Sequence, residues 1–159
     1  MMKFFTIGVF GSSEQEYFQK LIDNNIDTFC DIRQRRGVRG SEYAFVNSNR
    51  LQRRLSELDI KYAHFLNLAP TSEIRELQKE SDAEEGNSKR SREQLGKVFT
   101  VAYKDRILKK FDFDGFIEKL DEVGARNIVL FCVERNPLAC HRSIVADKLF
   151  KLGYVIEHL

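Results

Sequence analysis

The sequence predicts an α/β protein with a mostly parallel five-stranded sheet and helices on both faces. Apolar segments alternate with amphipathic helical patterns along all 159 residues, and this alternation is typical of parallel strands joined by helices. The most apolar segment, residues 127–133, is a nearly continuous run, as expected for a strand buried on both faces. We predict a Rossmann-like sheet order 3-2-1-4-5, with an extra helical segment between strands 3 and 4.

Each predicted strand is a short segment bounded by polar or turn-forming residues. The third strand alternates between apolar and polar residues, whereas the first has the pattern of a buried strand. The five predicted strands cover residues 3–9, 28–33, 60–66, 127–133 and 154–158.

Helical patterns with one apolar face occupy the segments between the strands. Ser13 and Glu16 have the spacing of a capping box at the start of the first helix. Asn47 or Ser48 caps the second helix. The apolar anchors of the predicted helices fall within residues 17–22, 51–58, 74–77, 95–103, 114–123 and 142–152.

The length and composition predict one domain, residues 1–159, of a cytoplasmic protein. Three cysteines at scattered spacings give no disulfide framework and indicate a reducing compartment. No apolar run reaches membrane-spanning length, so we expect no membrane partner. Residues 81–92 are charged and poor in aliphatic anchors, which predicts a mobile loop. This loop is either a lid or a plain solvated insertion.

Three polar loops are expected to meet at one end of the sheet. In the predicted order, ligands bind beyond the carboxyl ends of strands 1 and 4, where the strand order switches. The loops after these two strands are polar, and the loop after strand 2 is rich in arginine. The predicted ligand-binding residues are Ser12, Ser13, Arg33, Arg35, Arg36, His64, His141 and Arg142.

Cys140 is the first candidate for a catalytic residue, because it stands where a helical pattern begins. Helix-end amides, together with His141 or Arg142, lower the pKa of a thiol in such a position. The alternative is a half-buried structural cysteine. His141 is a candidate general base. Adjacent residues at a helix start do not easily point together, however, so His64 is an alternative source of an imidazole.

Arg142 places a positive charge at a helix N-terminus, where the helix dipole disfavours it. We therefore expect an anionic partner, which is either a ligand phosphate or carboxylate, or an internal acid such as Glu134 or Asp31. These two carboxylates are also catalytic candidates as an acid/base pair. Asp31 and Arg33 project from the same side of their strand, because side chains alternate along a strand.

No metal site and no cofactor are predicted. Cys132, Cys140, His141 and His64 are metal-ligating residue types, but the sequence contains no CxxC or HxxxH pair, which zinc sites usually show. The GxGxxG and GxxxxGK[ST] patterns of nucleotide-binding loops are also absent.

Several short motifs occur in a characteristic order along the chain. They are Thr6-Ile7-Gly8, Asp31-Ile32-Arg33, Ile60-Lys61-Tyr62, Cys132-Val133-Glu134 and Cys140-His141-Arg142. In order and spacing they resemble the bacterial and archaeal family named domain of unknown function 488. The resemblance implies a compact α/β domain whose shared polar residues gather at one end of the sheet, and it implies no activity.

Two functions fit these patterns. The first is binding of a phosphorylated or nucleotide-like ligand at the carboxyl ends of the strands, by an enzyme that uses Cys140 or a carboxylate. The second is a non-catalytic module that binds nucleic acid through the arginine cluster at residues 33–54. A net charge of +2 is too small to favour nucleic acid by itself, and a solvated surface is the alternative interpretation of the cluster.

Overall fold

The computed structural model describes residues 1–89 and 91–159, which form one parallel five-stranded sheet with helices on both faces. No helix within these residues is both long enough and apolar enough to cross a bilayer. The strands are β1 (Lys3–Ile7), β2 (Thr28–Asp31), β3 (Lys61–His64), β4 (Asn127–Phe131) and β5 (Val155–His158). The α-helices are α1 (Glu14–Asp23), α2 (Ser48–Glu57), α3 (Ser72–Glu84), α4 (Lys97–Arg106), α5 (Phe113–Glu122) and α6 (Arg142–Lys151).

The sheet separates two apolar layers, because successive side chains on a strand point to opposite faces. On one face, Phe5 of β1 and Phe131 of β4 pack with the apolar sides of α1 and α2. On the other face, Phe4 and Leu130 pack with α4, α5 and α6. The result is a three-layer α/β/α arrangement whose central strands are buried on both faces, as the apolar runs predict.

Both N-terminal caps considered in the sequence have defined roles. The Ser13 hydroxyl accepts a hydrogen bond from the Glu16 amide at 3.1 Å, and the Glu16 carboxylate accepts one from the Ser13 amide at 3.2 Å. The predicted capping box is therefore confirmed. Asn47 stands at the N-cap of α2, but its side-chain oxygen accepts from the Val38 amide at 2.7 Å. Asn47 thus ties the arginine-rich loop to the start of α2.

The predicted strand order is wrong at the centre of the sheet. The order is β3-β2-β4-β1-β5, not 3-2-1-4-5, so β4 lies between β2 and β1. The two edge strands are as predicted. The apolar patterns of β1 and β4 are alike, and both strands are buried on both faces. Hydrophobicity alone therefore could not decide which of the two lies beside β2.

The segment between β3 and β4 contains α3, α4 and α5, which confirms the extra helical segment. Residues 81–84, predicted as the beginning of a mobile loop, form the last turn of α3. Arg90, which also falls within the predicted loop, lies outside the described residues. Arg92 is nine-tenths buried and anchors the end of this segment. The mobility of residues 81–92 remains a prediction.

Candidate functional site

The carboxyl ends of β2, β4 and β1 lie side by side. Asp31 pairs with Phe131 across β2 and β4, and Phe131 pairs with Ile7 across β4 and β1. The three polar loops that follow these strands therefore leave the sheet at the same level. The corrected order keeps the loops together, because it makes β4 the neighbour of both other strands.

The loop after β4 is tied to the start of α6 by Arg142, the first residue of that helix. The Arg142 guanidinium is 1% exposed. Its Nη1 donates to the carbonyl oxygens of Cys132 and Glu134, at 3.2 and 2.6 Å, and its Nη2 donates to that of Arg135 at 3.1 Å. The expected partner was an anion, whereas these partners are backbone carbonyls of the loop. Hydrogen bonds to these neutral carbonyls thus offset the unfavourable interaction of the Arg142 charge with the helix dipole, and they fix the loop.

Asp31 and Arg33 form a buried ion pair after β2. The Arg33 Nε and Nη2 atoms donate to the two carboxylate oxygens of Asp31 at 2.9 and 2.8 Å, which is the bidentate geometry of a strong pair. The Tyr62 hydroxyl also donates to Asp31, at 2.7 Å. His64, at the end of β3, contacts the Arg33 carbonyl oxygen through Nε2 at 2.7 Å. These neighbours position the guanidinium of Arg33.

Three buried donors have no hydrogen-bond partner within residues 1–89 and 91–159: the Tyr17 hydroxyl, Nη1 of Arg33 and Nε of Arg142. The Arg33 guanidinium carbon lies 4.6 Å from the centroid of the Phe131 ring. The Tyr17 ring lies 5.6 Å from the same ring, on α1. Burial raises the pKa of Tyr17 well above its usual value, so the hydroxyl stays a neutral donor. Each unpaired donor costs about 1–3 kcal/mol.

Cys132, Cys140 and His141 form a second buried group, which we call the thiol cluster. Their two sulfur atoms and one ring nitrogen lie within 4.8 Å of one another. The Cys140 sulfur is 3.6 Å from Nδ1 of His141. Nε2 of His141 is 2.7 Å from the carbonyl oxygen of Ile32. The adjacent residues Cys140 and His141 therefore do point together, contrary to the expectation from the sequence.

The thiol with a lowered pKa is Cys132, not Cys140. A hydrogen bond from Cys140 lowers the pKa of Cys132, and the His141 ring adds to this effect against the opposing effect of burial. Burial and the neighbouring Cys132 raise the pKa of Cys140 well above its usual value. Burial lowers the pKa of His141, but Cys132 and the Ile32 carbonyl together outweigh burial, so that its pKa is raised. The direction at Cys140 is opposite to the predicted lowering, because burial, followed by Cys132 and Glu134, outweighs the charge of Arg142.

Glu134 is buried beside the thiol cluster and belongs to a charged chain of its own. Its Oε1 accepts from Arg92 at 2.8 Å, and Arg92 also donates to Asp82 of α3 at 2.8 Å. Its Oε2 lies 3.2 Å from the Cys132 sulfur. Burial, followed by the charge of Cys132, raises the pKa of Glu134. Glu134 is paired with Arg92 and Asp31 with Arg33, so the two carboxylates are held by different arginines.

Ser12 and Ser13 differ in their surroundings. Ser13 is used by the capping box, whereas Ser12 lines a polar groove of about 260 Å³ at the carboxyl end of β1. Lys20 and Arg135 also line this groove together with Glu16, so its lining carries two cations and one carboxylate. A larger depression, of about 380 Å³, lies by Met1 and Arg126 at the opposite end of the strands. The groove at Ser12 adjoins the predicted ligand-binding site, so it is the better candidate for binding a ligand despite its smaller volume.

The arginine cluster at residues 33–54 is divided between interior and surface. Arg33 is buried, whereas Arg35 and Arg36 are exposed. Farther along, Arg50 pairs with Glu14 and Arg54 pairs with Glu57, at 3.0 and 3.1 Å. The exposed members that follow the end of β2 are Arg35, Arg36 and Arg39.

A comparison with protein families finds one match over residues 13–149, to a family described as Domain of unknown function DUF488. The match covers most of the chain. The chain belongs to the DUF488 family. No curated protein and no solved structure matches it. The resemblance inferred from the motifs is therefore confirmed.

Sequence reasoning missed three functional candidates in this DUF488 protein. The sequence indicates Cys132 only as a possible metal ligand, because it lies at the end of an apolar run and has the pattern of a core residue. Tyr17 looks like any aromatic residue on the apolar face of α1. Arg92 stands among many exposed charges, and its sequence neighbours give no sign that its side chain is 9% exposed and paired to two carboxylates.

Proposed function

We propose that this DUF488 protein binds a small phosphate-bearing ligand at the carboxyl ends of β2, β4 and β1. The observation that carries the proposal is a pair of buried donors, Tyr17 Oη and Arg33 Nη1, that have no hydrogen-bond partner among the described residues. The Tyr17 ring and the Arg33 guanidinium both lie against the Phe131 ring. Buried donors of this kind are rarely left unsatisfied in a native protein. A phosphate oxygen is an acceptor that suits both a phenol and a guanidinium.

Charge around the donors supports an anionic ligand. Arg33 is held rigidly by Asp31, so one edge of the guanidinium is fixed and Nη1 is left for a ligand. Arg35 and Arg36 follow on the surface, and the neighbouring groove carries Lys20 and Arg135 against one carboxylate, Glu16. Cations that surround a site raise the local concentration of anions.

The thiol cluster is the reactive centre that we assign to this site. Cys132 directly follows Phe131, whose ring lies against the Arg33 guanidinium and the Tyr17 ring. A phosphate ester held by Tyr17 and Arg33 would therefore lie near sulfur and imidazole groups. In this assignment, the predicted role of Cys140 is shared with Cys132, and Asp31 positions Arg33 rather than reacting itself.

Calorimetric titration with inorganic phosphate and with nucleoside monophosphates tests the proposal. We expect saturable binding that Tyr17→Phe weakens by about 10-fold or more, since a hydrogen bond to a charged group contributes about 1.5–3 kcal/mol. The matched control is Tyr103→Phe. Tyr103 is as buried as Tyr17, but its hydroxyl donates to the Leu68 carbonyl at 2.6 Å.

Two results would contradict the proposal. One is the lack of saturable binding for every phosphate compound tested in the wild-type protein. The other is equal affinity in the wild-type and Tyr17→Phe proteins. Weakening by Tyr103→Phe to the same extent would indicate a general effect of removing a buried hydroxyl.

A second candidate function is binding of nucleic acid through Arg35, Arg36 and Arg39. Their shared exposure next to the site favours it, whereas the ion pairs of Arg50 and Arg54 reduce the basic surface available. Filter binding of single-stranded RNA and of duplex DNA at several salt concentrations tests it. This function requires an affinity that falls steeply with salt and that decreases when the three arginines are replaced by alanine.

A further inference from the structure

The thiol cluster has the composition and the arrangement of a metal centre. Cys132 stands directly after β4, and Cys140 and His141 stand directly before α6. All three are buried, and the two sulfur atoms and a ring nitrogen lie within 4.8 Å of one another. Thiolate and imidazole are the ligands that zinc prefers in proteins. The two cysteines are eight positions apart, and a histidine directly follows the second. This spacing differs from the CxxC and HxxxH pairs that usually indicate a zinc site.

The orientation of His141 separates its two nitrogens by function. Nε2 lies 2.7 Å from the Ile32 carbonyl oxygen, and a carbonyl can only accept, so Nε2 carries the hydrogen. In the neutral ring, Nδ1 then has the free lone pair, and it faces the Cys140 sulfur at 3.6 Å. A metal-ligating histidine usually donates its other N–H to a carbonyl or carboxylate in this way.

A carboxylate oxygen lies beside the cluster. The Cys132 thiol donates a hydrogen bond to Glu134 Oε2 at 3.2 Å. Two thiolates and a neutral imidazole would balance the charge of a divalent ion. The nearby carboxylate oxygen of Glu134 is available for the fourth position, which three protein ligands leave open.

We propose that Cys132 Sγ, Cys140 Sγ and His141 Nδ1 bind one zinc ion. Both thiols lose their protons to solvent as the two sulfur–zinc bonds form, and no electron is transferred. Zinc is preferred over harder divalent ions such as magnesium because sulfur is a soft ligand. This inference concerns the group that the proposed function assigns as its reactive centre, but it does not depend on phosphate binding, since neither Tyr17 nor Arg33 is among the zinc ligands.

Native mass spectrometry of the wild-type protein is the first test. The full chain is reduced, treated with chelator and exchanged into buffer that contains zinc and a phosphine reductant. We expect a single species with one zinc ion per chain that survives buffer exchange, because bound ligands hold the ion in the folded protein. No adduct that survives buffer exchange, or a series of adducts with no preference for one zinc ion, would overturn the proposal.

Cobalt substitution identifies the ligands. We expect a sulfur-to-cobalt charge-transfer band and the intense visible bands of a tetrahedral ion, both removed by competing zinc. Cys132→Ser and Cys140→Ser should weaken cobalt binding by more than about 100-fold, since changes outside the ligand set already cost about 10- to 100-fold. Cys30→Ala is the matched control, because Cys30 is a buried thiol on β2 that is not in the cluster.

The spectra also distinguish this proposal from the proposed function. Equal bands in Cys132→Ser and in wild type would exclude the thiol cluster as the metal site, whatever the phosphate titrations give. Tyr17→Phe should leave the cobalt spectrum unchanged. If a serine variant fails to fold, the intensity of the sulfur-to-cobalt band per bound cobalt ion in the wild-type protein still decides the question, because this intensity increases with the number of thiolate ligands and a band too weak for two of them would overturn the proposal.

Discussion

A β-carbon on Gly8 would overlap the backbone carbonyl oxygen of Glu134. The ends of β1 and β4 therefore meet backbone to backbone, and only glycine permits the approach. The same carbonyl accepts from Nη1 of Arg142 at 2.6 Å. This contact fixes the loop that carries Cys132 and Glu134, so a position without a side chain determines the geometry of the site.

Gly8→Ala should therefore destabilise the protein by about 2 kcal/mol or more, because the overlap is with backbone that cannot rotate away. Urea unfolding measures the change. Gly37→Ala is the control, since its nearest neighbour would be the Asn47 side-chain oxygen at 3.8 Å. It should change the free energy of unfolding by less than about 0.5 kcal/mol. Equal losses in the two variants would contradict the backbone contact.

Removing the hydroxyl of Tyr17 should stabilise the ligand-free protein. This hydroxyl is buried and has no partner among the described residues, so Tyr17→Phe removes an uncompensated polar group at a gain of about 1 kcal/mol. Tyr103→Phe removes a hydroxyl that is hydrogen-bonded to Leu68, and should cost about 1 kcal/mol. Thermal unfolding in phosphate-free buffer shows whether each variant is more or less stable than the wild-type protein. A loss of stability in both variants would mean that Tyr17 has a partner in solution.

Arg92 links the segment after α3 to the site through two buried ion pairs. Arg92→Ala leaves Asp82 and Glu134 without their cation, and breaking a buried pair in this way costs about 3–5 kcal/mol. Chemical denaturation at neutral pH checks this expectation.

The matched control for Arg92→Ala is the substitution of a cation whose ion pair is exposed. Lys151 pairs with Asp147 at 2.7 Å, but the two side chains are 68% and 52% exposed. Lys151→Ala should therefore change the free energy of unfolding by no more than about 1 kcal/mol. If Arg92→Ala is as mild as Lys151→Ala, then the segment that contains Arg92 does not pack against Glu134 in solution.

His158 should make the protein less stable in mild acid. Burial, and then the charge of Arg142, lower the pKa of His158 below its usual value, and its Nδ1 lies 2.6 Å from the Thr6 hydroxyl. The folded state therefore favours the neutral ring. As the pH falls below about 6.5, the unfolded state binds the proton first and the free energy of unfolding decreases.

Unfolding curves between about pH 7 and pH 5 for wild type and His158→Asn measure this effect. The variant should lose less stability on acidification. His64 and His141 are present in both proteins, so their contributions cancel in the comparison. Parallel pH profiles would show that His158 has the same pKa in the folded and unfolded states.

The sequence by itself determined the α/β class, the two edge strands, the Ser13 capping box and the family. These features depend on hydrophobic periodicity, on hydrogen bonds within a single turn, and on motifs contiguous in the chain. The sequence also indicated which loops meet, because parallel strands joined by helices place their carboxyl ends at one edge of the sheet.

Only the tertiary structure decided the position of β4 between β2 and β1, since two strands with the same apolar pattern fit either order. It also decided which polar groups are paired. Arg142 is bonded to loop carbonyls and Arg33 to Asp31, whereas the Tyr17 hydroxyl has no partner among the described residues. The thiol with the lowered pKa is Cys132, because Cys140 and His141 are folded against it. Partner choice and pKa depend on burial and on contacts between distant parts of the chain, which local patterns do not encode.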